Sequence, residues 1–422
     1  MDRPLEGVRI LWMEQAAALP FATRHLADLG AEVIRVESHR RGRTSGDADL
    51  FRNKRRFGLD LAMEGGPEAF RRVAAGCDVV VHNFTPRVMR KYGIDFEAIR
   101  EVNPDVVYVS LTGFGTTGPW GERPLFGPGA EAVSGQNDLI GDPDGWPGRP
   151  GTIVYADNTC GLNTVFAILA ALDWRDATGE PVHIDISLYE TAISHLGPVI
   201  TERAFGGNLP HRTGNADPRF ALHGVFDVAG HDRHVAITAT EQQAPALARA
   251  LGLSEVTEAG VRAGVAGRPG ADVVAALQAV GVPAAEVADA ADFVADEHLW
   301  ARGNFGLLGS GDGARPHAGP AFGGGRGVTM VPPQGLGDDN RAILRDIAGM
   351  TEAEVDALEQ ADIIGSADGP VTTTARFLQA YERKGHYYGV FDCCTYDAQG
   401  NEVIRQRHTT IFGVAKRGEA GG

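Results

Sequence analysis

Apolar runs of five to seven residues alternate with amphipathic stretches through the first half of the chain. Gly7–Met13 (GVRILWM) reads as a short buried strand, and residues 20–30 (PFATRHLADLG) as a helix, with Pro20 near its start and Gly30 past its end. Glu32–Glu37 (EVIRVE) returns as a strand. Pro67–Ala75 is helical, Cys77–His82 (CDVVVH) is a third strand, Asp95–Val102 a further helix and Val106–Leu111 (VVYVSL) a fourth strand. Apolar strands alternating with helices predict a parallel sheet covered on both faces, an α/β fold.

Residues 114–153 are rich in Gly and Pro and read as one long loop, a class of segment that is often functional. A helix is expected from about Asn158 to Trp174; it is apolar nearly all round and therefore expected to be buried. Val182–Leu188 alternates like a strand, and a helix follows through Ile200. Beyond another Gly/Pro-rich stretch, Gly224–Val228, His234–Thr238 and a helix around Gln242–Leu251 suggest a smaller α+β unit. The stretch 309–327 reads as a flexible connection, followed by helices at 338–348 and 352–360. From about Ser366 the chain turns β-rich: Tyr387–Tyr396 and Asn401–Phe412 flank Asp397-Ala398-Gln399-Gly400, a hairpin turn.

Composition is that of an ordinary globular protein, 43 % hydrophobic and 22 % charged over 422 residues, long enough for two or three domains. The net charge of −16 argues against a nucleic-acid partner. Charge is uneven: residues 1–100 hold 17 Lys/Arg against 14 Asp/Glu, with clusters at Arg40, Arg41, Arg43 and at Arg52, Lys54, Arg55, Arg56. Such clusters serve either as solvated surface or as a site for a small polyanion. Cys77, Cys160, Cys393 and Cys394 lack metal-ligand spacing, and no metal is expected. Neither a signal peptide nor a membrane-spanning run is legible, so a cytoplasmic protein with no membrane partner is expected.

Gly113-Phe114-Gly115-Thr116-Thr117-Gly118 spells the dinucleotide-binding pattern after a strand, but Pro119 and Trp120 follow and no helix opens there; the glycines suit a tight loop instead. Asp157 stands at a strand-to-helix corner, after the apolar run Thr152–Ala156 and before the long helix. It reads either as a helix N-cap or as a carboxylate held in fixed aim toward a cleft, as nucleophilic catalysis needs. Periodicity does not choose between the two.

Several stretches spread over residues 4–365 resemble the class III CoA-transferases, a family that includes carnitine/bile-acid CoA-transferases, formyl-CoA transferases and α-methylacyl-CoA racemases. They are LEGVRIL…LPFATRHLADLGAEVIRVE at 5–37, NKRRFGLDL at 53–61, CDVVVHNFTPRVMRKYGID at 77–95, NPDVVYVSLTGFGTTGPW at 103–120, ADNTCGLNTVFAILAALDWRDATGEPVHIDISLYETA at 156–192 and VPPQGLGDDNRAILRDIAGMTEAEVDALEQADIIG at 331–365. The resemblance implies a Rossmann-like large CoA-binding domain at 1–200, a small α+β domain with linkers at 201–325, a return segment at 326–365 and an interlocked homodimer. Residues 366–422 form a β-rich extension whose hairpin pattern resembles a fragment of a hot-dog domain.

The same resemblance implies that Asp157 is the nucleophile and that Arg40 or Arg41, Lys54, Arg55, Asn83, Phe84 and Lys91 bind CoA. Coenzyme A and acyl-CoA enter as substrates together with a free carboxylic acid, and no tightly bound cofactor is implied. In the racemases a His exchanges the α-proton; the corresponding place here holds Phe126, which disfavours that chemistry. The Gly-rich loop that covers the active carboxylate in transferases corresponds to His211-Arg212-Thr213-Gly214-Asn215, which has one Gly. Transfer through an aspartyl-CoA thioester needs Asp157 ionised, so its pKa is expected not to be strongly raised. The other classes considered are an acyl-CoA racemase or isomerase and a non-catalytic CoA-binding protein.

Overall fold

The computed structural model describes residues 3–14, 16–41, 48–149, 154–207, 212–321, 328–366, 372–383, 386–396 and 402–413. Its centre is an all-parallel sheet of β1 Arg9–Met13, β2 Glu32–Glu37, β3 Lys54–Gly58, β4 Val79–His82, β5 Val107–Thr112 and β6 Val182–Ser187. Their spatial order is β3-β2-β1-β4-β5-β6, the doubly wound arrangement in which the chain reverses direction between β1 and β4. Five of the six strands fall on the apolar runs of the sequence. The exception is β3, whose KRRFG composition reads as surface. It is an edge strand that buries Phe57 and answers its basic residues with carboxylates: Arg55 bonds Glu32 and Asp339, and Arg56 bonds Glu37.

The helices that follow the strands are α1 Ala18–Asp28, α2 Ala48–Phe51, α3 Gly66–Ala74, α4 Pro86–Tyr92, α5 Phe96–Val102, α6 Gly127–Val133, α7 Tyr155–Thr178, α8 Leu188–Ser194 and α9 Gly197–Ala204. Strand residues alternate between two cores. Ile10, Trp12, Val79 and Val107 face α1 and α7, while Leu11, Met13, Val80 and Tyr108 face α3. Each buried Leu, Ile or Phe in these layers contributes roughly 1.5–3 kcal/mol. Helix α7 lies tight on α1 at Gly161, where a Cβ would stand 2.8 Å from the Ala18 carbonyl oxygen. The expectation of a wholly buried α7 does not hold. Leu162, Phe166, Ala170 and Trp174, four residues apart, form an exposed ridge, with Phe166 73 % exposed.

The segment 114–153 is not one long loop. It contains α6, which starts with Pro128 in its first turn and packs against α7 and α8, so tertiary contact rather than propensity makes it helical. Residues 150–153 lie outside the described residues.

A second unit follows, with its own core around Phe226, Val235, Ile237, Leu247, Val261 and Leu277. Its antiparallel sheet orders β7 Leu222–Asp227, β8 His234–Ala239 and β9 Ala284–Glu286. After the hairpin of β10 Phe305–Leu308 and β11 Arg315–Ala318, helices Asn340–Asp346 and Glu352–Gln360 return to the large sheet, where Ile343, Leu344 and Val355 join the α3-side core. The tail holds three antiparallel strands rather than two: β12 Thr372–Arg383, β13 His386–Tyr396 and β14 Glu402–Gly413. The expected turn at 397–400 lies outside the described residues.

Candidate active site

In a doubly wound sheet, ligands are received outside the carboxyl ends of the strands, where the strand order reverses. A cavity of about 250 Å³ opens there. Ala16 after β1, Asn83 and Phe84 after β4, Thr112 at the end of β5 and Asp157 from α7 contribute to its lining. Ala16 holds φ of +65°, left-handed backbone that a residue with a Cβ seldom adopts, at the turn from β1 into α1.

Asp157 is not the cap of α7. The cap position is held by Val154, which makes no side-chain bond, and Asp157 sits inside the first turn. The capping task falls to Glu131 on α6, whose side chain is fully buried. It accepts from the Ala156 backbone N–H at 3.3 Å and from Arg149 Nε at 2.9 Å. Among the described residues, none donates a hydrogen bond to the Asp157 carboxylate, although it is only 6 % exposed. Burial, reinforced by the nearby Glu131 charge and opposed by Arg149, pushes its pKa up to about 6. The expectation of a pKa that is not strongly raised therefore fails, but the carboxyl is still ionised about ten to one at neutral pH.

Gly127 fixes how closely α6 approaches. A Cβ there would lie 2.0 Å from Val154 Cγ1 and 2.6 Å from Asp157 Oδ2, so no larger residue fits against the carboxylate. Phe126, the residue before it, is exposed and lines the cavity, and the described lining contains no His.

The cavity joins Asp157 to Asn83 and Phe84 but not to the basic residues singled out from the sequence. Lys54 and Arg55 begin β3, at the end of the sheet opposite the cavity. Lys54 is turned into the core beneath Trp12, 4.1 Å from the ring centroid, where its Nζ donates to the Pro20 carbonyl and to Thr23 Oγ1. Burial holds its pKa well below the usual lysine value. Arg40 lies beside Asp362 and Asp60, and Lys91 lies on exposed α4 beside Tyr92. Arg41 ends a short 3-10 helix, and its side chain lies outside the described residues.

Gly214, at φ +59°, donates its N–H to the Gly141 carbonyl, and Arg212 bonds Asp138 and the Gly145 carbonyl; neither Gly214 nor Asn215 lines the cavity. His211 lies outside the described residues. Sequence reading missed Glu131 and Gly127, both within a stretch read as loop; the one visible signal is an acidic residue in an otherwise small and apolar run, GPGAEAV.

A doubly wound α/β protein with a carboxylate poised in the switch-point crevice is the class these features define. The chain belongs to CoA-transferase family III, whose model matches residues 5–334. It is 30 % identical over 405 residues to the succinyl-CoA–D-citramalate CoA-transferase of Chloroflexus aurantiacus, covering 86 % of this chain and 98 % of the relative. It is 29 % identical over 398 residues, with the same two coverages, to the beta subunit of that organism's succinyl-CoA–L-malate CoA-transferase. The human succinyl-CoA:glutarate CoA-transferase is 33 % identical over 270 residues, 61 % of each chain. Among solved structures, a CAIB/BAIF family protein from Brucella suis matches with TM-score 0.73 at 29 % identity, over 82 % of this chain and all of that one. The chain is thus a CoA-transferase by family. No helix among the described residues is long and apolar enough to cross a membrane.

Proposed function

We propose that the chain moves CoA from an acyl-CoA to a free carboxylic acid by covalent catalysis at Asp157. One observation supports this above others: a buried carboxylate without a hydrogen-bond donor among the described residues lines the crevice cavity, its acidity lowered but its charge retained at neutral pH. A carboxylate oxygen of Asp157 attacks the thioester carbonyl, the C–S bond breaks, and CoA leaves as the thiolate with a mixed anhydride behind it. The thiolate attacks the aspartyl carbonyl, the anhydride C–O bond breaks, and the donor acid departs, giving an aspartyl-CoA thioester. The acceptor carboxylate then attacks that carbonyl and expels the thiolate. The thiolate takes the acceptor acyl group from the second anhydride and frees Asp157.

Asn83 and Phe84 are the CoA-contacting residues this reading retains in the cavity, with backbone N–H groups at the start of α7 as the candidate oxyanion donors. Phe126 cannot carry a proton, so the racemase reading has no base at that place. The exposed ridge of α7 and the exposed Phe205 fit coverage by a second copy of the chain in a homodimer.

The test is direct. Incubation with an acyl-CoA followed by hydroxylamine or borohydride should mark Asp157, read by peptide mass, and Asp157→Ala should lose transfer while keeping its fold. Transfer at wild-type rate by Asp157→Ala would falsify the assignment.

A further inference from the structure

We infer that His82 is a positioning residue of the transfer site: its ring holds the Phe84 backbone N–H and so sets the Asn83–Phe84 wall of the Asp157 cavity. The inference rests on that wall receiving acyl-CoA, as proposed above. His82 is the last residue of β4, and the chain bends at Phe84 directly afterwards. Asn83 and Phe84 both line the cavity. Within the bend the Phe84 N–H donates back to His82 Nδ1 at 3.2 Å. The ring itself is fully buried and is not among the described residues that line this cavity, so it reaches the site through the Phe84 bond.

The direction of that bond is fixed across three strands. A backbone N–H can only donate, so Nδ1 is the bare nitrogen of the ring. Burial pushes the His82 pKa down to about 3, so the ring is neutral and its one proton sits on Nε2. Nε2 donates to Ser110 Oγ on β5 at 2.9 Å. The buried Ser110 hydroxyl is left to donate to His183 Nε2 on β6 at 3.0 Å. Burial also holds His183 below its usual pKa, against the pull of Asp185 and Glu97, so it offers a bare nitrogen at neutral pH. Phe96 stacks on the His183 ring at 4.9 Å and Tyr108 meets it edge-on at 5.4 Å, which orients the far end. The order Phe84, His82, Ser110, His183 therefore runs from donor to acceptor in one sense only. A ring free to flip or to change tautomer would release the Phe84 N–H, and Ser110 with His183 prevents both. The Phe84 peptide in turn cannot rotate without leaving a buried imidazole nitrogen unpaired, which is disfavoured.

Two substitutions separate the two ring nitrogens. Asn places its amide oxygen where Nδ1 lies and can still accept from Phe84. Gln places its amide where Nε2 lies and can reach Ser110 but not Phe84. The KM for acyl-CoA should be about tenfold higher in His82→Gln than in His82→Asn, roughly the worth of one hydrogen bond, with kcat much less affected. Equal KM values in the two variants, or the higher value in His82→Asn, would overturn the proposal. The wild type supplies a check that needs no variant to fold: nitrogen-15 NMR of labelled histidine should show His82 with its proton on Nε2, and a proton on Nδ1 at neutral pH would overturn the proposal as well. Phe84→Ala, assayed alongside, separates the two layers. An unchanged KM there would overturn the reading of the wall and this proposal with it, whereas a raised KM with His82→Gln and His82→Asn alike overturns the role of His82 alone. Labelling of Asp157 at saturating acyl-CoA should persist in both His82 variants; its loss from them alone would place His82 in the chemistry and overturn a positioning role, and its absence from the wild type too would be a failure of the Asp157 assignment.

Discussion

Replacing Asp157 with Asn should make the protein more stable at neutral pH while removing its activity. The Asp157 carboxyl titrates near 6 in the folded chain against 3.8 ordinarily, because burial and the Glu131 charge disfavour ionisation. At 1.36 kcal/mol per pH unit, keeping that carboxylate charged costs the native state about 3 kcal/mol at pH 7. The sign follows from the direction. A raised folded pKa means the native state binds the proton more tightly than the unfolded chain. The resulting stability is fully present below about pH 4 and is lost as pH rises through about 6. Asn has nearly the volume of Asp and carries no charge at any pH, so it escapes the penalty. Urea unfolding from pH 4 to 8 should show Asp157→Asn gaining about 2–3 kcal/mol over wild type at pH 8, with the gap closing by pH 4. A variant equally stable or less stable at pH 8, or a gain that ignores pH, would refute the account of the site as a strained, buried charge.

Other outcomes follow from the same geometry. The kcat/KM of transfer should rise with pH on a limb near 6, where Asp157 ionises, and Glu131→Gln should move that limb to lower pH by removing a neighbouring negative charge; a limb that stays put in the variant argues against electrostatic coupling. Gly127→Ala places a Cβ 2.0 Å from Val154 Cγ1 and 2.6 Å from the Asp157 carboxylate, and should cost about 1–3 kcal/mol of stability together with most of the activity, checked by unfolding midpoint and initial rate. Arg52→Met should destabilise by about 3–5 kcal/mol in urea unfolding, since it leaves the Asp28 carboxylate, fully buried like Arg52 itself, without its guanidinium partner.

The sheet was legible because parallel strands buried on both faces are mostly apolar, and β1, β4 and β5 are so apart from Arg9, His82, Ser110 and Thr112. Strand β3 was not, since an edge strand can carry Arg55 and Arg56 where carboxylates from β2 and residue 339 meet them, and can turn Lys54 into the core onto the Pro20 carbonyl and the Thr23 hydroxyl. The same pairing explains why a basic cluster that suggested a polyanion site is largely consumed inside the fold. Cluster charge is visible in sequence; the end of a strand on which it falls is not. Helix α6 was hidden because GPGAEAV has poor helix propensity and gains its structure from α7. The exposed ridge of α7 was hidden for the opposite reason: an all-apolar helix reads as interior whether its partner is the same chain or another.

Asp157 could be read from sequence as a cap or as a reactive group, and the geometry rules out the cap. A capping carboxylate receives backbone N–H groups, and those donors favour its charged form and lower its pKa. At the start of α7 the donated N–H goes to Glu131 instead, so Asp157 keeps the field of the helix terminus without spending its lone pairs on it. The charge that remains is buried, lacks a donor among the described residues, and faces a cavity. On the proposed reading, such a carboxylate is unfavourable in the native state for the same reason that it would be reactive. Each lone pair left without a donor is available to a carbonyl carbon, and burial that keeps water from solvating the charge also keeps water from an anhydride or thioester formed upon it. A residue retained only for stability would be expected to relieve that conflict by accepting the cap or by being neutral; Asp157 does neither.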